Sequence, residues 1–296
     1  VLFRSAISII GNIFLDAAGA LYAAALIIKL VFPQADLQLI ILIFALLAAS
    51  YTIPGGLSSA INAELIQAVI LIVGSVILTI ACFAQGGGEF LAGLFASGDP
   101  AVKLIRPLDD PATPWLGLIV GMPVSGIYFW ANNQTLVQRV LSAKSVDEGR
   151  KGVMLAGFLT LLTLVIIVFP GIIARNLFPD VERPDMIYPT LVLKLLPTGL
   201  LGIMLSALLA ALTSTLSAIL NSTATLFTMD FYAQARPGAD SRKLVLVGKI
   251  TAVVVIVIAA LWAPNIGKFS SLLKYYQEML SYIAPPVVAA FLMGMF

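Results

Sequence analysis

Histidine is absent from all 296 residues. Without an imidazole, the usual zinc and haem sites and histidine-based acid–base or nucleophilic chemistry lose their commonest side chain. Cysteine occurs once, at Cys82 in an apolar stretch, so no internal disulfide can form and the thiol reads as a small buried hydrophobe. Charge is scarce: 11% of residues are Asp, Glu, Lys or Arg, against about 25% in an ordinary soluble domain. The net charge of +2 is too small a surplus to recruit nucleic acid. No carboxylates pair up as an acid–base couple, which leaves an enzyme as the weakest reading. The chain opens inside a hydrophobic run, with neither an initiator Met nor a signal-peptide pattern, and closes in another at Phe296. It reads as an internal piece of a longer protein, with Val1–Ser5 set aside as an assembly artefact.

What fills the chain instead is apolar. Hydrophobic residues make up 60% of it, and runs of about 20 suffice to cross the roughly 30 Å of bilayer hydrocarbon. Spans are expected at about 7–32, 38–54, 63–85, 114–134, 152–176, 190–229 (with a shorter lead-in before Pro197), 243–263 and 271–296, eight crossings of an all-α polytopic membrane protein. Pro and Gly mark the joints: Pro33, Pro54-Gly55-Gly56, Gly86-Gly87-Gly88, Pro111, Pro114, Pro179, Pro237-Gly238 and Pro264. The loop 139–151 carries Arg139, Lys144, Arg150 and Lys151; the loop 236–249 carries Arg236, Arg242, Lys243 and Lys249. An even number of crossings separates them, so the positive-inside rule makes both cytoplasmic. The first span then runs outward and the last inward.

The richest stretch is LSALLAALTSTLSAILNSTATLFTMD, residues 205–230, with ten Ser, Thr or Asn between Ser206 and Thr228. Lipid offers such groups no partner, so they must face protein, water or an ion. Ala211, Ser214 and Thr215 stand at i, i+3 and i+4 on one helix face, a carbonyl and two hydroxyls that suit a hard cation such as sodium. The competing reading is close helix packing, with hydroxyls bonded back to carbonyls one turn earlier.

Other polar groups stand at membrane depth. Asp16 lies in the middle of the first span, where a carboxylate needs a cavity or a partner. Glu64 follows the expected Pro54-Gly55-Gly56 turn and could be either a cation-path residue or ordinary first-turn acidity. Residues 126–139, GIYFWANNQTLVQR, set Tyr128, Phe129 and Trp130 beside Asn132, Asn133 and Gln134. Ring faces stack on the C–H face of a sugar and amides bridge its hydroxyls, whereas an interfacial aromatic belt explains Trp130 but not the amides. Gln277 and Glu278 sit about one turn into the last span, before Pro285-Pro286, a pair expected to interrupt the backbone ladder and open a polar pocket.

Three motifs carry a resemblance over nearly the whole chain after Ser5: YTIPGGLSSAINAELIQ at 51–67, the set Trp130, Asn133, Gln134, Gln138, Arg139, Ala143, Lys144 and Ser145, and LNSTATLFTMDFY at 220–232. With them the chain resembles the sodium/solute symporter family, especially its bacterial sodium/galactose and animal sodium/glucose branches. The resemblance implies a five-plus-five inverted-repeat transporter fold, of which this chain supplies about helices three to ten. Residues 6–296 would form one transmembrane domain, with 6–85 in the first repeat, 114–296 in the second, and 114–134 the broken sixth helix. It also implies a sodium ion at the Ala211 carbonyl and the Ser214 and Thr215 hydroxyls, with further ligands from helices outside this chain. Glu64 falls at an acidic position tied to cation coupling, and Ser217 where two-sodium relatives carry a hydroxyl.

For the solute, Gln277 matches the family's sugar-binding Gln and Phe129 a gating Tyr, with Glu278 beside them. Asp16 matches a sugar-contacting polar position. Thr160 stands where sugar transporters carry a Lys, and Gly126 where the galactose relative has an Asn. The implied function is sodium-coupled symport of a sugar or similar neutral polyol by alternating access, in a bacterial inner (plasma) membrane. The rivals are a sodium symporter of inositol, an amino acid, pantothenate or a choline-like cation, and a transporter-like sensor domain. The implied partners are sodium, a small solute and the bilayer; nothing in the sequence fixes an oligomeric state.

Overall fold

A segment inside a bilayer must bond every backbone group internally, so the apolar runs become helices. The computed structural model describes residues 2–55, 57–103, 105–110 and 114–295, with backbone alone for 51, 54–55, 57–63 and 101. Among the described residues there is no strand, only an isolated bridge between Arg106 and Pro114. Among the described residues six helices are long and apolar enough to cross a membrane, and Leu37–Ser50 is a shorter apolar one.

In chain order, α1 is Leu2–Val31, α2 Leu37–Gly55, α3 Leu57–Cys82 and α4 Gly88–Ser97. The segment α5, residues 117–132, is built of short helical pieces, and α6 is Gln134–Leu141. Then come α7 Val146–Leu177, α8 Ile187–Leu195, α9 Thr198–Ala235, α10 Ser241–Trp262 and α11 Leu272–Met295. α1 takes in Leu2–Ser5: the Arg4 guanidinium donates to the Asn132 carbonyl at 3.1 Å, and the Ser5 hydroxyl donates to Asp230.

The joints have local causes. Asn133 leaves the helix (ψ 116°) and its side chain accepts from the Thr135 amide at 2.9 Å, so α5 ends and α6 starts on one residue. Ser145 caps α7 by accepting from the Glu148 amide at 3.2 Å, the S-x-x-E pattern of a capping box. The lead-in before Pro197 is α8, which stops at Leu195. At the triple glycine the chain turns with Gly86 at φ 85°. A Cβ on Gly87 would meet the Cys82 carbonyl at 2.6 Å and Ile173 at 2.8 Å, so only glycine lets α7 pack so closely there.

Two expected joints differ. α2 stays helical through Pro54 to Gly55, while Gly56 lies outside the described residues, as do Leu104 and Pro111–Thr113. α11 runs through Pro285-Pro286 without ending, although each proline removes one ladder bond. Ile283, Ala284, Val287 and Val288 on either side are buried, and this packing holds the helix across the missing bonds.

The core explains the order of the helices. α1 is the central one, two-thirds buried over its apolar window, and packs Leu21, Ala24 and Ala25 against α2, α9 and α10. A second cluster of Leu78, Cys82, Ile173, Leu191 and Met204 joins α3, α7, α8 and α9, and Cys82 is the buried hydrophobe its setting suggested. α7 is 6% buried and stands at the periphery.

The loop before α8 is pinned to α11. Asp185 accepts from the Leu272 amide at 2.8 Å, capping α11, and from Arg183 at 3.2 Å. Arg183 also donates to the carbonyls of Gly267 (3.1 Å) and Phe269 (3.4 Å) and lies over the Tyr22 ring. Asp185→Ala removes the cap and half the ion pair; it is expected to cost about 1–2 kcal/mol. The check is thermal unfolding of the purified protein in detergent, where the variant should melt earlier than wild type while Lys103→Ala, an exposed loop change, should not.

Candidate functional site

Six π-helical turns occur among the described residues, and two of them carry side chains of one cavity. α1 has a π-helical turn at Asn12–Ala17 that contains Asp16, and α5 has one at Tyr128–Asn132 that contains Phe129. Such turns insert an extra residue into the ladder and re-aim side chains, and they are frequent at functional sites. Both residues line one cavity of about 470 Å³, together with Gly19, Arg139, Thr215 and Tyr276. Tyr276 Oη donates to Asp16 Oδ1 at 3.4 Å. Gly19 makes this possible: a Cβ there would stand 2.8 Å from Tyr276 Cε2, so the missing side chain is the seat of the tyrosine ring. Phe129 offers a half-exposed ring, set edge-on to Trp130 at 5.5 Å.

Beside the cavity the three elements α3, α6 and α9 meet at one carboxylate oxygen. Glu64 Oε1 accepts from Arg139 Nη2 at 2.6 Å and from the Ser214 hydroxyl at 2.7 Å. Arg139 is held from its own helix by the Thr135 carbonyl at 3.3 Å. Ser214 is 6% exposed, and with its proton committed to Glu64, its oxygen lone pairs remain to accept or ligate. Thr215, the next residue, points into the cavity, and Ala211 lies one turn before it, half-buried. Ser217 is buried one turn beyond Ser214. Among the described residues no three His, Cys, Asp or Glu gather as a metal site, so an ion at this face would meet hydroxyl and carbonyl oxygens, the donors that suit sodium.

The two readings of the hydroxyl helix divide residue by residue. Thr223 and Thr225 bond back to the carbonyls of Ile219 (2.7 Å) and Asn221 (2.8 Å), which is packing chemistry. Thr223 also accepts from Asn12 Nδ2 at 2.9 Å, tying α9 to α1. Ser214 and Thr215 do otherwise, as above.

Several expected solute residues are not brought to the cavity. Thr160 is exposed on the peripheral α7, and its hydroxyl is spent on the Ala156 carbonyl at 2.8 Å. Gln277 is exposed and Glu278 half-buried, and neither lines the cavity, because Tyr275 and Tyr276 take the inward face of α11. The amides are committed locally: Asn132 Nδ2 donates to the Ile127 carbonyl at 3.3 Å, and Asn133 caps α6, leaving Asn133 alone of the two on the cavity wall. Gly126 faces open space. Arg139 and Tyr276 were missed as site residues. Arg139 was visible in the second motif; Tyr276 had no signal beyond its place beside Gln277.

A bundle of apolar helices, broken at Asn133, with a cavity that holds a few polar side chains against a hydroxyl-bearing helix, defines an integral membrane protein of the transporter class. A family model described as the sodium:solute symporter family matches residues 1–296, and the chain belongs to that family. It is 34% identical to the sodium/mannose cotransporter SLC5A10 of Bos taurus, over 100% of this chain and 55% of that one. It is likewise 34% identical to the sodium/myo-inositol cotransporter 2 of Homo sapiens, over 96% of this chain and 47% of that one. The chain therefore spans about half the length of the curated relatives it matches. The fold superposes on a Na+-coupled sialic acid symporter solved in a substrate-bound outward-open state, with TM-score 0.80, 22% identity, and cover of 100% of this chain and 63% of that one.

The shared carboxylate makes a testable coupling. Glu64→Gln should cost about 1–3 kcal/mol by leaving Arg139 without its anion, and Arg139→Gln in the same chain should recover part of that loss. Chemical or thermal unfolding of the single and double variants measures the interaction; additive losses would mean the pair contributes nothing.

Proposed function

We propose that this chain carries the ion and solute sites of a sodium-coupled symporter for a neutral sugar or polyol. The observation that supports it best is the meeting of Asp16, Phe129, Tyr276 and Thr215 on one cavity wall, with the Ser214–Glu64–Arg139 cluster alongside. A ring and two hydrogen-bonding groups of different kinds suit a polyol: Phe129 stacks, Asp16 accepts from a hydroxyl, and Tyr276 donates or accepts. Asp16 repels anionic solutes. The names of the relatives, mannose and myo-inositol cotransporters, fall in the same chemistry, so inositol stands within this reading and not against it.

Sodium is proposed at the Ala211 carbonyl and the Ser214 and Thr215 hydroxyls, with Glu64 and Ser217 as a second cation position. Glu64 orients Ser214 by accepting its hydroxyl hydrogen bond and adds negative potential beside the ion. A cation there competes with Arg139 for Glu64, so ion binding and the packing of α6 are linked, and such linkage is the physical content of coupling. Each ion contributes about 2.3 kcal/mol per 100 mV of membrane potential, plus its concentration gradient. Alternating access then moves the shared cavity from one side to the other. The relatives and the family are transporters, and no catalytic step enters. The membrane in this proposal is a bacterial inner membrane.

The test is sodium-gradient-driven uptake of labelled mannose and myo-inositol by the full-length protein in liposomes. Uptake should vanish when the gradient is dissipated. Tyr276→Phe and Asp16→Asn should each raise the solute KM about fivefold to tenfold, the worth of one hydrogen bond to a polar or charged group, with the sodium half-saturation little changed. Gln277→Ala should act less than Tyr276→Phe. Transport of an amino acid or choline in place of both polyols would remove the solute assignment, and uptake indifferent to sodium would remove the coupling.

A further inference from the structure

Buried polar groups find partners, and those that do not point to something that supplies one. Three side-chain atoms without a hydrogen-bond partner belong to residues that line one cavity distinct from the solute cavity: Thr52 Oγ1 on α2, and Asn221 Nδ2 and Thr228 Oγ1 on α9. Thr52 is 4% exposed and Thr228 6%. They line a cavity of about 520 Å³ that α10 closes with Gly248 and Lys249. No Asp or Glu is on its wall, so Lys249 gives it a positive sign. Every one of these polar groups can donate, and together they match the oxygens of a phosphate.

The wall continues into an apolar furrow. Ile53 lines both this cavity and a second one of about 540 Å³ between α2 and α10, whose sides are residues such as Ala45, Ala49, Val253 and Ala260. The polar end lies at the basic end of α10, beside Arg242 and Lys243, and the furrow runs along the two helices from there. A phosphate-seeking pocket joined end to end with an oily groove has the layout of one lipid molecule. Basic pockets between membrane helices on the cytoplasmic side are where anionic headgroups bind.

We propose that this paired site holds an anionic phospholipid, with its phosphate at Lys249, Thr52, Asn221 and Thr228 and an acyl chain in the furrow between α2 and α10. Gly248 keeps the headgroup end open: even a Cβ there would touch Thr228 Oγ1 at 3.6 Å, and a longer side chain would fill the space. The site does not depend on the sodium or solute assignments, since it shares no residue with the solute cavity.

Native mass spectrometry of the full-length protein, titrated with phosphatidylglycerol or phosphatidylcholine, tests it. One phosphatidylglycerol should be retained in preference to phosphatidylcholine. Lys249→Gln, a change on the exposed surface that leaves folding intact, should weaken it about fivefold. Gly248→Leu should displace it, and Lys243→Gln, on the same helix end but off the wall, should leave it unchanged. Equal retention of both lipids, or a Lys249→Gln variant that binds as wild type does, overturns the proposal. Displacement of the lipid by glycerol phosphate at the same concentration would make this a soluble-anion site and overturn the lipid.

Discussion

One carboxylate oxygen, Glu64 Oε1, ties α3, α6 and α9 together beside the cavity. Its two donors come from two different helices, a guanidinium at 2.6 Å and a hydroxyl at 2.7 Å. In a medium of low dielectric an unpaired charge is costly, so removing either charged partner disturbs the other. The positions of Ser214 and Thr215 follow from this contact. Ser214 must turn toward α3, and the helix geometry then sends Thr215 about 100° onward, into the cavity. The proposed ion face and the proposed solute cavity are thus adjacent through neighbouring residues of one helix.

The cavity has its own supports. A π-helical turn in α1 carries Asp16 inward, a second in α5 carries Phe129, and the bare face of Gly19 gives Tyr276 its place. Asn12 ties α1 to Thr223 two turns from the Ser214 contact, so α9 is held along its length by α1 as well as by α3. The Arg183–Asp185 clasp fixes the start of α11 and therefore the height of Tyr275 and Tyr276. None of these supports needs more than a few hydrogen bonds, because the apolar packing of α1 against its neighbours already sets the helix positions.

The helices were legible because hydrophobic length and Gly/Pro punctuation are direct consequences of bilayer thickness and missing backbone donors. Gly86 and Pro197 marked true ends for that reason. Pro285-Pro286 misled, since burial of Ile283 and Val287 holds a helix that local chemistry alone would break. Spacing singled out Ser214 and Thr215, and motifs singled out Glu64 and Arg139, but the Glu64–Arg139 contact itself was hidden, because a pairing 75 positions apart in sequence leaves no local trace. The choice of Tyr276 over Gln277 was hidden too. Neighbouring residues on a helix differ by about 100°, and which one faces inward is set by the partner surface, here the gap at Gly19. Thr160 belongs to the same class: its neighbour helix, not its type, decides that it serves its own backbone.

The central claim is that Ser214 is an ion ligand oriented by Glu64 and not a packing hydroxyl. Trp130 beside the cavity supplies an optical signal, so sodium titration of intrinsic fluorescence in the purified full-length protein tests it directly, with potassium as the control cation. The account predicts a sodium-specific change whose midpoint rises about tenfold or more in Ser214→Ala, the worth of one ligand to a charged group, and stays at the wild-type value in Thr225→Ala, whose hydroxyl serves its own backbone. An unchanged midpoint in Ser214→Ala, or an equal shift in both variants, would contradict it.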